Sequence, residues 1–364
     1  MENLHRSEKN IKSKAGIDID IRKMDQQLER HLNKDKVLML TKTESCDDDK
    51  KSKTRVLLAK EKWEIDPNKL LLKRKFGQGT FGSVHRGLYD GLDVAVKLLD
   101  LGENSLHKIF FQQVSVWNRL DHPNIAKLIG AKEGIAEVKM EPDGGKIDKP
   151  QNICCIVVEY LMGGTLKSYL ILNRIKKLPL EVVVGLALDI ARGLSYMHSL
   201  KIVHRNVKTE NMLLDKEGRV KITDFGVSRV EAANLAEMTG QTGTLGYMAP
   251  EVLIGNPYDQ KCDVYSFGIC LWEIYCCSMP FPNVASIEEI SSVVYKSLRP
   301  EIPKCCPISV ADVMKKCWDT DPKRRPKMEE VVQMLEAIDI SNGGGMVQDD
   351  VEPRGCFSLF KKRR

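Results

Sequence analysis

The chain has 364 residues, 42% hydrophobic and 29% charged, with a net charge of +6. That balance fits a soluble globular protein with one large or two modest domains plus tails. It excludes a secreted or membrane-spanning reading, since no early apolar run resembles a signal peptide and no segment could cross a bilayer. The charge is modest and lies largely in the terminal segments, which argues against nucleic acid as a partner. Among eleven cysteines stand the doublets Cys154-Cys155, Cys276-Cys277 and Cys305-Cys306. Neighbouring cysteines rarely bridge each other, so reduced thiols and a cytoplasmic protein are expected. No Cys or His pairs stand at zinc-ligand spacing.

Residues 1–62 form a polar, charge-dense tail in which Asp47-Asp48-Asp49 is followed by Lys50-Lys51. Within it Met24, Leu28 and Leu32 fall on one helical face, the pattern of a marginal amphipathic helix. A domain is expected over 63–338. Its first part, to about residue 160, has short β-branched runs such as Val94-Ala95-Val96 and Ile156-Val157-Val158. Between them the polar stretch 132–152, with Pro142, Gly144, Gly145 and Pro150, reads as a long loop joining two strands. After Gly164 the period turns helical: Val182, Val183, Leu186, Ala187, Ile190 and Leu194 make one buried face. The expected class is α+β with two lobes, β-rich to about residue 160 and α-helical over about 161–338. Residues 339–364 are a flexible basic tail, with Cys356 among Phe357, Leu359 and Phe360 before Lys361-Lys362-Arg363-Arg364. A lipidated cysteine beside a basic patch would give this tail a peripheral membrane contact, and the basic run alone would serve as a nuclear address.

Gly77-Gln78-Gly79-Thr80-Phe81-Gly82-Ser83-Val84 is a glycine-rich turn between strands. Glycines let a backbone approach phosphates and offer them N–H groups. G-x-G-x-x-G alone is a weak signal, shared with tight hairpins and dinucleotide folds. No helix follows it here. A strand does, Val94-Ala95-Val96-Lys97, and its spacing behind the glycine turn raises Lys97 from a solvated lysine to a phosphate-binding candidate. Then come His204-Arg205-Asn206-Val207-Lys208-Thr209-Glu210-Asn211, Asp224-Phe225-Gly226 and Ala249-Pro250-Glu251.

In this order and spacing the motifs resemble a eukaryotic protein kinase from about Leu70 to Ile338. Gly243 to Glu251, Asp263-Val264-Tyr265-Ser266-Phe267-Gly268 and Val116 to Asn124 resemble the plant Raf-like mitogen-activated kinase kinase kinases. The resemblance implies a bilobal fold whose β-rich lobe carries one regulatory helix. It also implies ATP and Mg²⁺ as cofactors, and protein substrates or scaffold partners of a kinase cascade. Gly77, Gly79, Gly82 and Lys97 would hold the phosphates; Asn211 and Asp224 would ligate Mg²⁺, which takes hard oxygen ligands. Lys208, a Ser/Thr-kinase feature, would steady the transferring group. Val84, Ala95 and Leu213 would sandwich the adenine, with Val158 as gatekeeper and Glu159-Tyr160-Leu161 as hinge. His204 and Phe225 would stack, and Glu251 would pair with Arg325. Arg205 would pair with a phosphate on Thr239 or Thr242, while Thr244 would touch the catalytic loop.

Two residues depart from the family pattern. Asn206 stands where the family has the aspartate that accepts the substrate hydroxyl proton, and an amide nitrogen has no basic lone pair. Gln113, nine residues before His122, stands where the family has the regulatory-helix glutamate that pairs with Lys97, so the charge-assisted bond is lost. The sequence therefore predicts an ATP- and Mg-binding kinase-like signalling protein with impaired phosphotransfer. Its alternatives are an active Ser/Thr kinase and an interaction domain that binds no nucleotide.

Overall fold

Alternating apolar residues create the first sheet. The computed structural model describes residues 63–79, 82–100, 104–135, 139–140, 153–231, 244, 246–281, 297–341 and 346. In it Leu70–Gly79 (β1), Gly82–Tyr89 (β2) and Leu92–Asp100 (β3) form an antiparallel meander. Leu70, Leu72, Val94, Val96 and Leu98 sit on one buried face with Ile65 and Val157, as the two-residue period of a strand requires. Leu128–Ile135 (β4), Lys139–Met140 (β5) and Ile153–Glu159 (β6) complete a six-stranded sheet in the order β4-β6-β3-β2-β1-β5. The stretch expected as loop is thus partly strand. Lys132 and Ile135 still pair with β6, and Lys139 and Met140 run parallel to Leu71 and Leu72.

Asn104–Trp117 (α1) buries Phe110, Gln113, Val114 and Trp117, the i, i+3, i+4, i+7 face of a helix. Three of those four positions are apolar; Gln113 is the exception, at 1% exposure. Trp63 packs edge-on to Phe110 and Phe111, and its carbonyl accepts the Ala131 N–H.

The second lobe begins with Leu166–Leu172 (α2), capped by Thr165, whose hydroxyl accepts the Ser168 N–H at 3.1 Å. Leu180–Ser199 (α3) buries Val183, Leu186, Ala187, Ile190 and Leu194 as expected, while Val182 is half-buried. Ile202–Val203 (β7), Met212–Leu214 (β8), Val220–Ile222 (β9) and Arg229–Val230 (β10) frame the catalytic loop in two small hairpin-like pairs, β8 with β9 and β7 with β10. Pro250–Leu253 (α4), Lys261–Cys276 (α5), Ile308–Cys317 (α6) and Met328–Glu336 (α7) follow. Every residue of α5 from Cys262 to Cys276 is buried, which makes it the central helix of the lobe rather than a surface one. Among the described residues no helix is long and apolar enough to cross a membrane, and the described cysteines are free thiols. The expected features of residues 1–62, the Cys356 tail, Thr239 and Thr242 lie outside the described residues.

Glu251 of α4 and Arg325 form a buried, two-pronged pair at 2.6 and 2.8 Å. The guanidinium also donates to the carbonyls of Asp319 and Lys261 and stacks over Tyr265. Arg325→Met should strand a buried carboxylate and lower unfolding stability by about 3–5 kcal/mol. Arg325→Lys should recover only part, since a lysine cannot make the fork. Urea unfolding checks this; a loss below about 1 kcal/mol, the size of an exposed pair, would contradict it.

Candidate active site

A carboxylate on α5 fixes the catalytic loop. Asp263, 1% exposed, accepts the backbone N–H of His204 at 2.8 Å and of Arg205 at 2.8 Å, and bonds to His198 Nε2 at 2.9 Å. Burial pushes its carboxyl up, but His198, His204 and the N–H groups outweigh that and hold it below the usual carboxylate range. Arg205 takes a left-handed φ of 66°. Its guanidinium donates to the Val227 carbonyl at 2.6 Å and to Tyr258 Oη at 3.1 Å.

The loop leads to Asn206, whose backbone N–H donates to His204 Nδ1 and whose carbonyl accepts Asn211 Nδ2 at 2.9 Å. The Thr244 hydroxyl donates to Asn206 Oδ1 at 3.2 Å. That is the contact expected of Thr244. Lys208 ends its extended stretch at the three-residue turn Thr209–Asn211 and has a half-buried side chain.

Across the cleft Lys97 Nζ meets Asp224 Oδ1 at 3.1 Å. Burial raises the Asp224 carboxyl, but Lys97, with His204 and Lys208 behind it, carries it below its ordinary value. Lys97 makes no hydrogen bond to Gln113. Gln113 Nε2 is buried and without a partner among the described residues. Its Oε1 would lie 3.8 Å from a Cβ built on Gly226, so the amide sits against Asp224-Phe225-Gly226. The neighbouring Gln112 donates to the Ser228 carbonyl at 2.8 Å. Trp117, Phe225 and His204 pack in sequence, with ring centroids 4.8 and 5.4 Å apart; the first pair is tilted at 57°, and His204 meets Phe225 edge-on at 65° and not in the expected stack. The helix is therefore packed against the Asp224-Phe225-Gly226 segment, with Gln113 buried and Lys97 turned to Asp224.

Most of the residues expected around the nucleotide lie on neighbouring strands of the sheet, with Leu213 on β8 of the second lobe. Lys97 pairs in register with Val84 of β2 and with Ile156 of β6, and Ala95 pairs with Val158. Val84, Ala95 and Leu213 are half-buried, Leu161 buried. Gly77 and Gly79 end β1, and Gly79 faces Gly82 across the hairpin. A Cβ on Gly82 would stand 1.7 Å from the Leu98 carbonyl oxygen, so only glycine fits there. The Glu159 carboxylate is taken by Lys221 Nζ at 2.7 Å and the Lys127 N–H at 2.7 Å, and its own N–H donates to the Lys127 carbonyl at 3.0 Å.

Sequence reasoning missed the role of Asp263, although its motif was conspicuous, and that of Trp117. It also missed a second polar cluster below the loop: Thr209 Oγ1 and Tyr247 Oη both donate to Glu273, at 2.9 and 2.7 Å, and Lys167 pairs with Glu210. Thr209 and Glu210 lie in a motif already singled out, but their partners are 64 and 43 residues away, respectively.

With this geometry in place, the comparisons with known proteins are direct. Residues 70–335 match the protein tyrosine and serine/threonine kinase family. The chain is similar to the serine/threonine/tyrosine-protein kinase HT1 of Arabidopsis thaliana, 36% identical over 77% of this chain and 69% of that protein. It is also similar to the Arabidopsis serine/threonine-protein kinases STY46, 36% identical over 76% of this chain, and CTR1, 35% identical over 74%. It covers 45% of STY46 and 31% of CTR1. The chain belongs to the protein kinase family, and these relatives agree with the plant Ser/Thr group its motifs resemble.

Burial pushes the Glu273 carboxyl up to about 7, aided by Glu210, while the hydroxyls of Tyr247 and Thr209 oppose the rise. A raised folded-state value means that the folded chain keeps a proton the unfolded chain has lost. This contribution is full below about pH 4.5 and declines as pH rises to about 7. Glu273→Gln should remove the decline, gaining on the order of 3 kcal/mol over wild type between about pH 4.5 and 8. Denaturant unfolding across that range tests it, and parallel curves for the two proteins would refute it.

Proposed function

We propose that the chain is a Ser/Thr kinase-type signalling protein that binds Mg·ATP in this cleft and transfers phosphate poorly. The observation that carries this is the pairing of an intact cleft with a neutral reacting position. Asn206 is positioned by His204, Asn211 and Thr244, yet an amide there accepts no proton. Loss of a placed general base costs about 10²–10⁴-fold.

The donor set fits a magnesium nucleotide. Asn211 uses its Nδ2 on the Asn206 carbonyl, so its Oδ1 is available; Asp224 uses Oδ1 on Lys97, so its Oδ2 is available. The Thr223 N–H bonds the Asn211 carbonyl at 3.0 Å, which ties the two positions together. Two hard oxygens side by side suit Mg²⁺, whose contribution when bound is to neutralise charge on the phosphates. The glycines of β1 and β2 and Lys97 would hold the phosphates. Lys208 would face the transferring group, and the backbone from Glu159 to Leu161 would meet the base.

Gln113 supports weak turnover in a second way. A carboxylate there would share Lys97 with Asp224; the amide leaves Lys97 to Asp224 alone and strands its own Nε2, a buried donor worth about 1–3 kcal/mol when unsatisfied. Lys208 and the serine/threonine names of the relatives support Ser/Thr protein substrates, and scaffold partners of a kinase cascade and a cytoplasmic setting belong to the same proposal.

Thermal melts should rise with Mg·ATP, by roughly 2.7 kcal/mol of added stability at a hundredfold excess over its dissociation constant. Asp224→Ala should remove the Mg²⁺-dependent part. Asn206→Asp should raise phosphotransfer to a generic Ser/Thr substrate by about 10²–10⁴-fold. Gln113→Glu should add a smaller gain, largest in the double variant, and Lys97→Met should abolish both. Ordinary kinase rates in the unmodified chain, lost on Lys97→Met, would establish an active enzyme instead.

A further inference from the structure

Outside the cleft, the second lobe carries an open cavity of about 470 Å³, six of whose nine lining residues are lysine or arginine. Lys261 opens α5, Lys316 is next to last in α6, Lys323 and Arg324 lie in the short turn Pro322–Arg324, and Lys327 caps α7. The buried Arg325 and the side chain of Met334 complete the wall, and Glu330 is the one carboxylate lining it.

The nearby carboxylates do little to neutralise these cations. Asp259 accepts the backbone N–H of Lys261, Asp321 that of Lys323, and Glu330 that of Lys327. Asp319 stands 3.5 Å from Arg324, and Glu251 is spent on Arg325. No carboxylate among the described residues pairs with the ammonium groups of Lys261, Lys316, Lys323 or Lys327; that of Lys261 donates to the Arg325 carbonyl. Burial pushes the Lys261 ammonium down from its ordinary value, and Lys327 and Arg325 add repulsion against the pull of Asp259 and Glu330. Four unpaired cations held around one concavity repel one another unless an anion joins them.

We propose that this cavity is a binding site for a compact polyphosphorylated ligand of the inositol-polyphosphate type, free or as a lipid headgroup. Its volume lies in the range of small-molecule sites, roughly 300–1,000 Å³. The cations are grouped around one open depression instead of forming the extended stripe that tracks a nucleic acid backbone. Lysines, which bind phosphate as point charges from several directions, outnumber the guanidiniums that would read a single carboxylate plane. None of the lining residues belongs to the nucleotide cleft.

The test is calorimetric titration of the full chain with inositol hexakisphosphate, with thermal melts in parallel. Saturable binding, a raised melting temperature and weakening by added salt are expected. Lys316→Glu with Lys327→Glu should weaken binding by about tenfold or more. The same pair changed to alanine should weaken it less and, being exposed, should leave the unliganded melt unchanged, which guards against misfolding. Lys97→Met should leave binding intact, as should replacing Lys361 to Arg364 by alanine; this separates the site from the cleft and from the basic tail. Co-sedimentation with phosphatidylcholine vesicles carrying a bisphosphorylated inositol lipid tells the two sources apart: binding sensitive to the double variant assigns the headgroup, and binding to the free compound alone assigns the soluble ligand. No saturable binding of either probe, or binding that the double variant leaves unchanged, overturns the proposal.

Discussion

The catalytic loop depends on one buried carboxylate. Asp263 sits on a helix buried along nearly its whole length, so it cannot move, and it gathers two consecutive backbone N–H groups and an imidazole. Arg205 adopts a left-handed conformation that costs a non-glycine residue roughly 1–2 kcal/mol. The bond from its N–H to Asp263 and those from its guanidinium to Val227 and Tyr258 offset that cost. The backbone at Asn206 is therefore set by its neighbours and not by its own side chain. An amide or a carboxylate can occupy the position without disturbing the fold, and chemistry can change there while architecture does not.

The same separation holds on the other side of the cleft. Trp117 on Phe225 and Phe225 on His204 pack α1 against the second lobe through apolar contact, which needs no ion pair at Gln113. Both departures from the family pattern replace a carboxylate by its amide, conserving volume while removing negative charge. Under the proposed function a polyanionic nucleotide would meet less repulsion there, while proton acceptance from the reacting hydroxyl would be weakened. Binding and turnover would then be set by different atoms of one site.

Much of this was legible in the sequence because the chemistry-bearing residues come in short runs. The glycine turn, the strand ending in Lys97, the catalytic loop and Asp224-Phe225-Gly226 each announce themselves within about ten positions. The buried face of α3 was readable from its period, whereas for the helix before His122 only the position of Gln113 was read. What could not be read were pairings across the chain. Asp263 reaches residues 58 and 59 positions away, and Lys221 reaches Glu159 across 62; nothing local marks such partners. The polar stretch after Lys132 was taken wholly for loop because its strand character comes from pairing with β6 and β1, not from its own composition.

Arg325 links the two halves of the second lobe's electrostatics. Its guanidinium is fully buried against Glu251, while its backbone carbonyl takes Lys261 at the wall of the cationic cavity. One face of the residue is thus satisfied inside the core, and the other holds a lysine in place at the surface. Four chain segments converge on that wall, and three of them belong to helices α5, α6 and α7, so the hollow is set by the packing of the lobe and is not a loop that must close. Long lysine side chains lose rotamer freedom when they grip an anion, and the fixed backbone spares only the further cost of ordering the chain beneath them. That division, fixed backbone and movable ammonium groups, favours recognition of a clustered charge whose exact spacing can vary over recognition of one rigid shape.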